Sequence, residues 1–269
     1  MMTPTTTKTM EVGMINIKEL FTKKEVHCEK HGIRNVFTHK DAQATCDECL
    51  KDIELQEQKR IKEIEEERAI ERKKRQIEQI FSQSMIPPRF QKHTFETFIA
   101  ITSEQKKNKQ AMEDFAKNFL QNLEDGISVI LSGKVGNGKT HLACATANYI
   151  IANFGKTALF FSVVDAFSKI KATYTKKSEI TEINVINQFS MVDLLILDEF
   201  GIQIGSEHEK MLLFRIINKR YENLKPTILI SNLSPAEIKN FEERIFDRLK
   251  ENGILLSFSS ESNRKSKKI

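Results

Sequence analysis

From about residue 95 onward the chain alternates short apolar runs with amphipathic stretches. The apolar runs fall at 128–133 (SVILSG), 157–163 (TALFFSV), 192–200 (VDLLILDEF), 226–232 (PTILISN) and 254–259 (ILLSFS). Each has the length of a strand, and the third is apolar on both faces, as a buried parallel strand must be. Between them, 141–154 (HLACATANYIIANF) reads as a helix stopped by Gly155, and 208–223 reads as another. Asp165 is positioned to N-cap the helix after the second strand. Strands alternating with helices predict an α/β fold on a parallel sheet of five strands.

The first eighty residues follow other rules. Residues 51–81 contain no Gly or Pro and are dense in Glu, Lys and Arg, with opposite charges often three or four apart. That composition predicts a long helix. Ile61, Ile64 and Ile77 are too sparse for a heptad seam, which leaves a solvated connecting helix or a partner-binding one. Pro87 and Pro88 end it. The predicted organisation is a flexible tail at 1–25, a metal-binding module at 26–50, a charged connecting helix at 51–82, a nucleotide-binding domain at 83–259 and a basic tail at 260–269.

Composition narrows the picture. With 269 residues, 39% of them hydrophobic, the chain carries one sizeable core and a small appendage. The net charge of +5 is compatible with nucleic acid, yet much of it sits in Arg264, Lys265, Lys267 and Lys268, which read equally as a solvated end. No run approaches the ~20 apolar residues of a membrane span. The first residues lack the apolar segment of a secretory signal. Three of the four cysteines cluster with a histidine at ligand spacing, which argues for a reducing, cytoplasmic setting rather than a disulfide framework.

The strand at 128–133 runs into Gly133, Lys134, Val135, Gly136, Asn137, Gly138, Lys139 and Thr140, followed by His141 at the head of a helix. This fits G-x-x-x-x-G-K-[ST] in its proper strand–loop–helix context. The glycines let successive amides turn inward at a helix N-terminus, an arrangement that attracts phosphate. Lys139 is expected to reach the β- and γ-phosphates of a bound nucleotide, and Thr140 to offer its hydroxyl to Mg²⁺. Asp198 and Glu199 end the apolar run at 192–200 and are expected to face the loop from the neighbouring strand tip. Asp198 would anchor Mg²⁺, and Glu199 would act as general base on water. Asn232, at the tip of the 226–232 run, would position that water.

Cys28, His31, Cys46 and Cys49 form two pairs, C-x₂-H and C-x₂-C, separated by 14 residues. Four soft ligands with no open position predict structural Zn²⁺, whose binding would drive the folding of so short a segment. The competing reading is unrelated surface cysteines. Cys144 reads as a small core residue of the phosphate-loop helix.

The run from Ile86-Pro-Pro-Arg-Phe, through GKVGNGKTHLA and DLLILDEFGIQ, to RYENLKPTILISNLS and ERIFDRL resembles the AAA+ helicase loaders of the DnaC type over roughly 85–265. The IstB-type transposition ATPases are close cousins. The resemblance implies an AAA+ ATPase domain that self-associates into a ring or spiral and hydrolyses ATP. It also implies binding to single-stranded DNA and to a replicative hexameric DNA helicase during replication initiation. By the same resemblance, Asn232 is the sensor-1 residue and Arg248 the arginine finger that reaches a neighbouring subunit. Arg264 is then sensor 2, although Asn263 stands where a Tyr is common. Tyr174, Ser206 and His208 match positions that contact DNA. The alternative is an IstB-like helper that binds duplex DNA and recruits a transposase. The short chain after residue 259 carries the further expectation of no separate helical lid domain.

Overall fold

The structure, a computed structural model, describes residues 21–39, 44–175, 179–202 and 206–259. The chain divides into two compact units, residues 1–72 and 73–269.

The first unit opens with an antiparallel hairpin of β1 (Phe21–Cys28) and β2 (Gly32–His39), in which Cys28 pairs with Gly32. Gly32 takes φ +73°, a conformation that favours a residue without Cβ in so tight a turn. Helix α1 (Asp47–Gln83) then begins. Strand β1 thus starts inside the stretch expected to be loose, and α1 starts earlier than residue 51. Asp47 and Glu48 account for the early start, because carboxylates favour a helix's positive end. Cys49 therefore lies within the helix's first turn. Among the described hydrophobic residues of this unit only Val36 and Cys46 are buried.

In the second unit, α2 (Ser103–Lys117) and α3 (Phe119–Glu124) precede β3 (Ser128–Gly133), α4 (Lys139–Phe154), β4 (Ala158–Ser162) and α5 (Val163–Lys171). A 3₁₀ turn, Ala172–Tyr174, follows. Then come α6 (Glu182–Met191), β5 (Leu194–Phe200), α7 (Glu207–Glu222), β6 (Thr227–Ser231), α8 (Pro235–Phe241), α9 (Glu243–Glu251) and β7 (Gly253–Phe258). The five strands, β3 to β7, form one parallel sheet in the order β4-β5-β6-β3-β7.

Strand period two sends successive residues to opposite faces. Val129, Leu131, Ile196 and Ile230 join one core with α2 and α4. Ile130, Leu195, Leu197 and Leu229 join the other, beneath α5, α6, α7 and α9. The continuous apolar runs reflect this burial on both faces.

Two expectations need correction. The Asp–Glu strand is not the neighbour of the phosphate-loop strand, because β6 lies between them. The strand order reverses at β3, so the loop sits at a topological switch point, where open α/β sheets gather ligands. The cap of α5 is Ser162, whose hydroxyl accepts the Asp165 amide at 3.0 Å; Asp165 lies inside the first turn and its carboxylate accepts from the same hydroxyl.

The outer strand β4 is covered from upstream. The Phe160 amide donates to the Ser84 carbonyl at 2.8 Å. Among the described residues no helix is long and apolar enough to cross a membrane.

Candidate nucleotide site and metal centre

The loop between β3 and α4 curls around backbone conformations that only glycine takes easily. Gly133, Gly136 and Gly138 have φ of 125°, 88° and 87°. A Cβ on Gly133 would lie 2.1 Å from the Phe258 carbonyl oxygen, so the loop is pressed against β7. The Lys139 ammonium donates to the carbonyls of Gly133 at 2.5 Å and Lys134 at 2.7 Å, on the cavity wall. Burial lowers its pKa, and the Asp198 charge opposes that shift.

The Thr140 hydroxyl donates to Asp198 Oδ2 at 2.8 Å, across two strand positions of the sheet. Asp198 Oδ1 accepts the Glu199 amide at 2.7 Å. Burial raises the Asp198 pKa, while Thr140, the Glu199 amide and Lys139 pull it down. Glu199 is exposed and has φ 62°, in the left-handed region. The ladder between β5 and β6 shifts register between Leu197 and Phe200. A bulge at this point re-aims the side chain at the strand's end. Positive φ at a non-glycine residue costs about 1–3 kcal/mol and clusters at functional sites.

Lys139, Thr140, Asp198, Glu199 and Asn232 line one cavity of about 400 Å³, with Val135, Gly136, Gly138 and His141 along its loop side. Gly133, Lys134 and Asn137 support it from behind; the Asn137 amide donates to the Phe258 carbonyl at 3.2 Å.

Three further residues of the same wall were given no site role by the sequence. Arg89, Phe90 and His93 come from the turn that follows Pro87-Pro88. Asn148 of α4 holds that turn, its amide donating to the carbonyls of Phe90, Gln91 and His93 at 3.1, 3.1 and 2.8 Å. The His93 ring stacks on His141 at 3.9 Å between centroids. No local pattern marks Asn148, because its partners lie more than fifty residues upstream.

Arg248, Tyr174, Ser206 and His208 are not part of this cavity's lining. The Arg248 guanidinium lies over the Tyr221 ring at 4.5 Å, with Glu251 at 3.9 Å. Tyr174 is half-exposed; its hydroxyl donates to Glu182 at 2.7 Å and lies 3.1 Å from His208 Nε2. Ser206 is the N-cap of α7, its hydroxyl accepting the Glu209 amide. Arg264 lies outside the described residues.

In the first unit, the Cys28, Cys46 and Cys49 sulfurs surround His31 Nδ1 at 3.7, 3.7 and 3.3 Å, and Cys28 and Cys49 sulfurs are 3.4 Å apart. A tetrahedral zinc with ordinary bond lengths sets ligand atoms about 3.5–3.8 Å apart, so this donor set fits that ion. His31 Nε2 is 3.5 Å from Asp52 Oδ2, and Lys30 pairs with the same carboxylate. A carboxylate behind a ligating histidine fixes its tautomer and aim. Asp52→Ala is therefore expected to weaken zinc affinity about 10- to 100-fold, read by competition with a colorimetric chelator. Unchanged affinity would remove Asp52 from the centre.

The sheet order, the glycine loop with its lysine and threonine, and the acid pair define a P-loop ATPase of the AAA+ class. The chain belongs to the family described as IstB-like ATP binding protein, which it matches over residues 39–269. It is 37% identical over 191 residues to the replicative helicase loader DnaC of Buchnera aphidicola subsp. Baizongia pistaciae, covering 70% of this chain and 76% of that one. It is 33% identical over 204 residues to the replicative helicase loader DnaC of Escherichia coli strain K12, covering 73% and 80%. A crystal structure of the DnaC helicase loader superposes with TM-score 0.58 at 26% identity, over 64% of this chain and 99% of that one. The replication initiator DnaA bound to AMPPCP and single-stranded DNA gives 0.55 at 25% identity, over 66% and 52%.

Proposed function

We propose that this ATPase loads a replicative DNA helicase, hydrolysing ATP within an oligomer assembled on single-stranded DNA. The observation that carries the hydrolytic part is the convergence of Lys139, Thr140, Asp198, Glu199 and Asn232 on one cavity. Lys139 and the loop amides grip the phosphates of ATP. Thr140 and Asp198, already 2.8 Å apart, would hold Mg²⁺, which neutralises charge on the phosphates. Glu199 accepts a proton from the attacking water, and Asn232 orients that water. The adenine lies against the apolar wall of Phe98, Ile99 and Ile101 beside Gly138.

Arg248 serves the neighbouring subunit's site as its arginine finger. It is not among the residues that line this chain's own cavity, which fits that role. Tyr174 and His208, at one exposed edge, contact single-stranded DNA, with a base stacked on Tyr174. Ser206 orders the start of α7 beside them. Zinc, held by Cys28, His31, Cys46 and Cys49, stabilises the N-terminal unit, and α1 connects it to the ATPase domain. Exposed Ile33 and Phe37 on β2 suit that unit to the helicase. The helicase assignment draws on the DnaC relatives named above.

The test mixes the full-length protein with the replicative helicase of its own genome, with and without ATP, and weighs the products by light scattering. A complex with the helicase hexamer that forms with ATP is expected, together with ATPase activity stimulated by single-stranded DNA. No complex would sink the loader reading. The resemblance to IstB-type transposition ATPases leaves one second reading, a helper ATPase of transposition; ATPase activity stimulated only by duplex DNA would support it instead.

A further inference from the structure

The nucleotide cavity carries a cation that the phosphate loop does not supply. Arg89 lines it on the same wall as Phe90 and His93, facing the space that Lys139, Asp198 and Glu199 also border. Among the described residues Arg89 has no hydrogen-bond or ion-pair partner. Its neighbours in the turn are, by contrast, firmly tied. The Phe90 amide donates to the Pro87 carbonyl at 2.8 Å, and the His93 amide to the Phe90 carbonyl at 3.0 Å. Gln91 donates to the Ile86 carbonyl at 3.1 Å. Asn148 grips three carbonyls of the turn, and Ser84 is tied to β4. A free guanidinium on a fixed backbone is an available anion ligand: the turn needs no further ordering, and only the side chain's own rotamers are fixed on binding.

Charge points the same way. The cavity wall holds two carboxylates and one lysine, and burial holds both His93 and His141 below their usual pKa, so they are poor cations near neutrality. A nucleoside triphosphate brings several negative charges. Arg89 is the other permanent cation of this wall among the described residues. Guanidinium matches two phosphate oxygens at once, which an ammonium does not.

We propose that Arg89 contacts the terminal phosphate of ATP bound to its own subunit, so that the turn after Pro87-Pro88 distinguishes the triphosphate from the diphosphate. The proposal rests on the ATPase reading of the cavity. It makes Arg89 a specificity-determining residue acting within one chain, separate from Arg248 acting between chains.

The test uses the full-length protein with Mg²⁺ and two fluorescent nucleotides, a non-hydrolysable ATP analogue and ADP. Parent, Arg89→Ala, Arg89→Lys and Lys139→Ala proteins are titrated. Arg89→Ala is expected to lose about 10- to 100-fold in affinity for the triphosphate, the range for a charge-assisted contact, with ADP changed less than about threefold. Arg89→Lys should recover part of the loss, and Lys139→Ala should weaken both nucleotides. An unchanged ratio of the two affinities in Arg89→Ala overturns the proposal. So does an equal loss of both, which would assign Arg89 to the base, the ribose or the shared phosphates. A parent protein that binds neither nucleotide would sink the ATPase reading as well. Arg89 is exposed, so its substitution should leave the thermal melting curve unchanged, which checks that folding is intact.

Discussion

Replacing Glu199 by Gln is expected to leave nucleotide affinity within about twofold and to cut ATP turnover at least about a hundredfold, the contribution typical of a general base. The substitution keeps the size and hydrogen-bonding shape of the side chain but removes its ability to take a proton. Asp198 keeps its bond from Thr140, so the groups expected to hold Mg²⁺ are undisturbed. The backbone gives the prediction a second edge. Glu199 sits at φ 62° in a bulge between Leu197 and Phe200, where glycine is at ease. Glycine here should therefore fold at least as stably as Glu while turning over as poorly as Gln. The measurements are equilibrium nucleotide binding, steady-state hydrolysis and a melting curve on the same preparations. Full turnover in the Gln variant would transfer the base role elsewhere and undo the reading of the acid pair.

Stripping zinc, by a strong chelator or by Cys46→Ser, is expected to unfold the hairpin unit and leave the ATPase unit able to bind nucleotide. The reason is the size of its core. Val36 and Cys46 are the only buried hydrophobic residues described in residues 1–72, and so little apolar burial cannot offset the entropy of ordering the hairpin. Structural zinc contributes about 10–16 kcal/mol in small finger peptides, enough to decide between folded and unfolded. Limited proteolysis should then cut within residues 21–72 while the ATPase unit from residue 73 stays resistant. Binding of the fluorescent ATP analogue should fall by less than about threefold. A chelated protein with unchanged proteolysis and no zinc by elemental analysis would refute the metal centre.

The parallel sheet was legible because its strands are buried on both faces and so carry unbroken apolar runs. The phosphate loop, the acid pair and the cluster of Cys28, His31, Cys46 and Cys49 stood out in the sequence because each is a local spacing with one dominant chemical use. What escaped has a common cause. Asn148 reaches a turn more than fifty residues upstream, Asp52 backs a histidine twenty-one residues before it, and Arg89 enters the cavity from ahead of the domain's first strand. Such contacts exist only after folding and leave no periodicity. The insertion of β6 between β3 and β5 is equally invisible, since strand order depends on crossovers and not on composition. Asp165 was misread for a subtler reason: Ser162 and Asp165 are both good capping residues three apart, and strand β4 ends at the serine.

The bond between Ser84 and Phe160 bears on where the ATPase unit begins. Strand β4 ends the row, and an uncovered strand in that position recruits other chains through its bare backbone groups. The Ser84 carbonyl occupies one of those groups, the Phe160 amide, much as a bumper takes up a point of contact. A fragment of the ATPase unit that begins after Ser84 loses that contact and is expected to be less soluble than one that begins at residue 73.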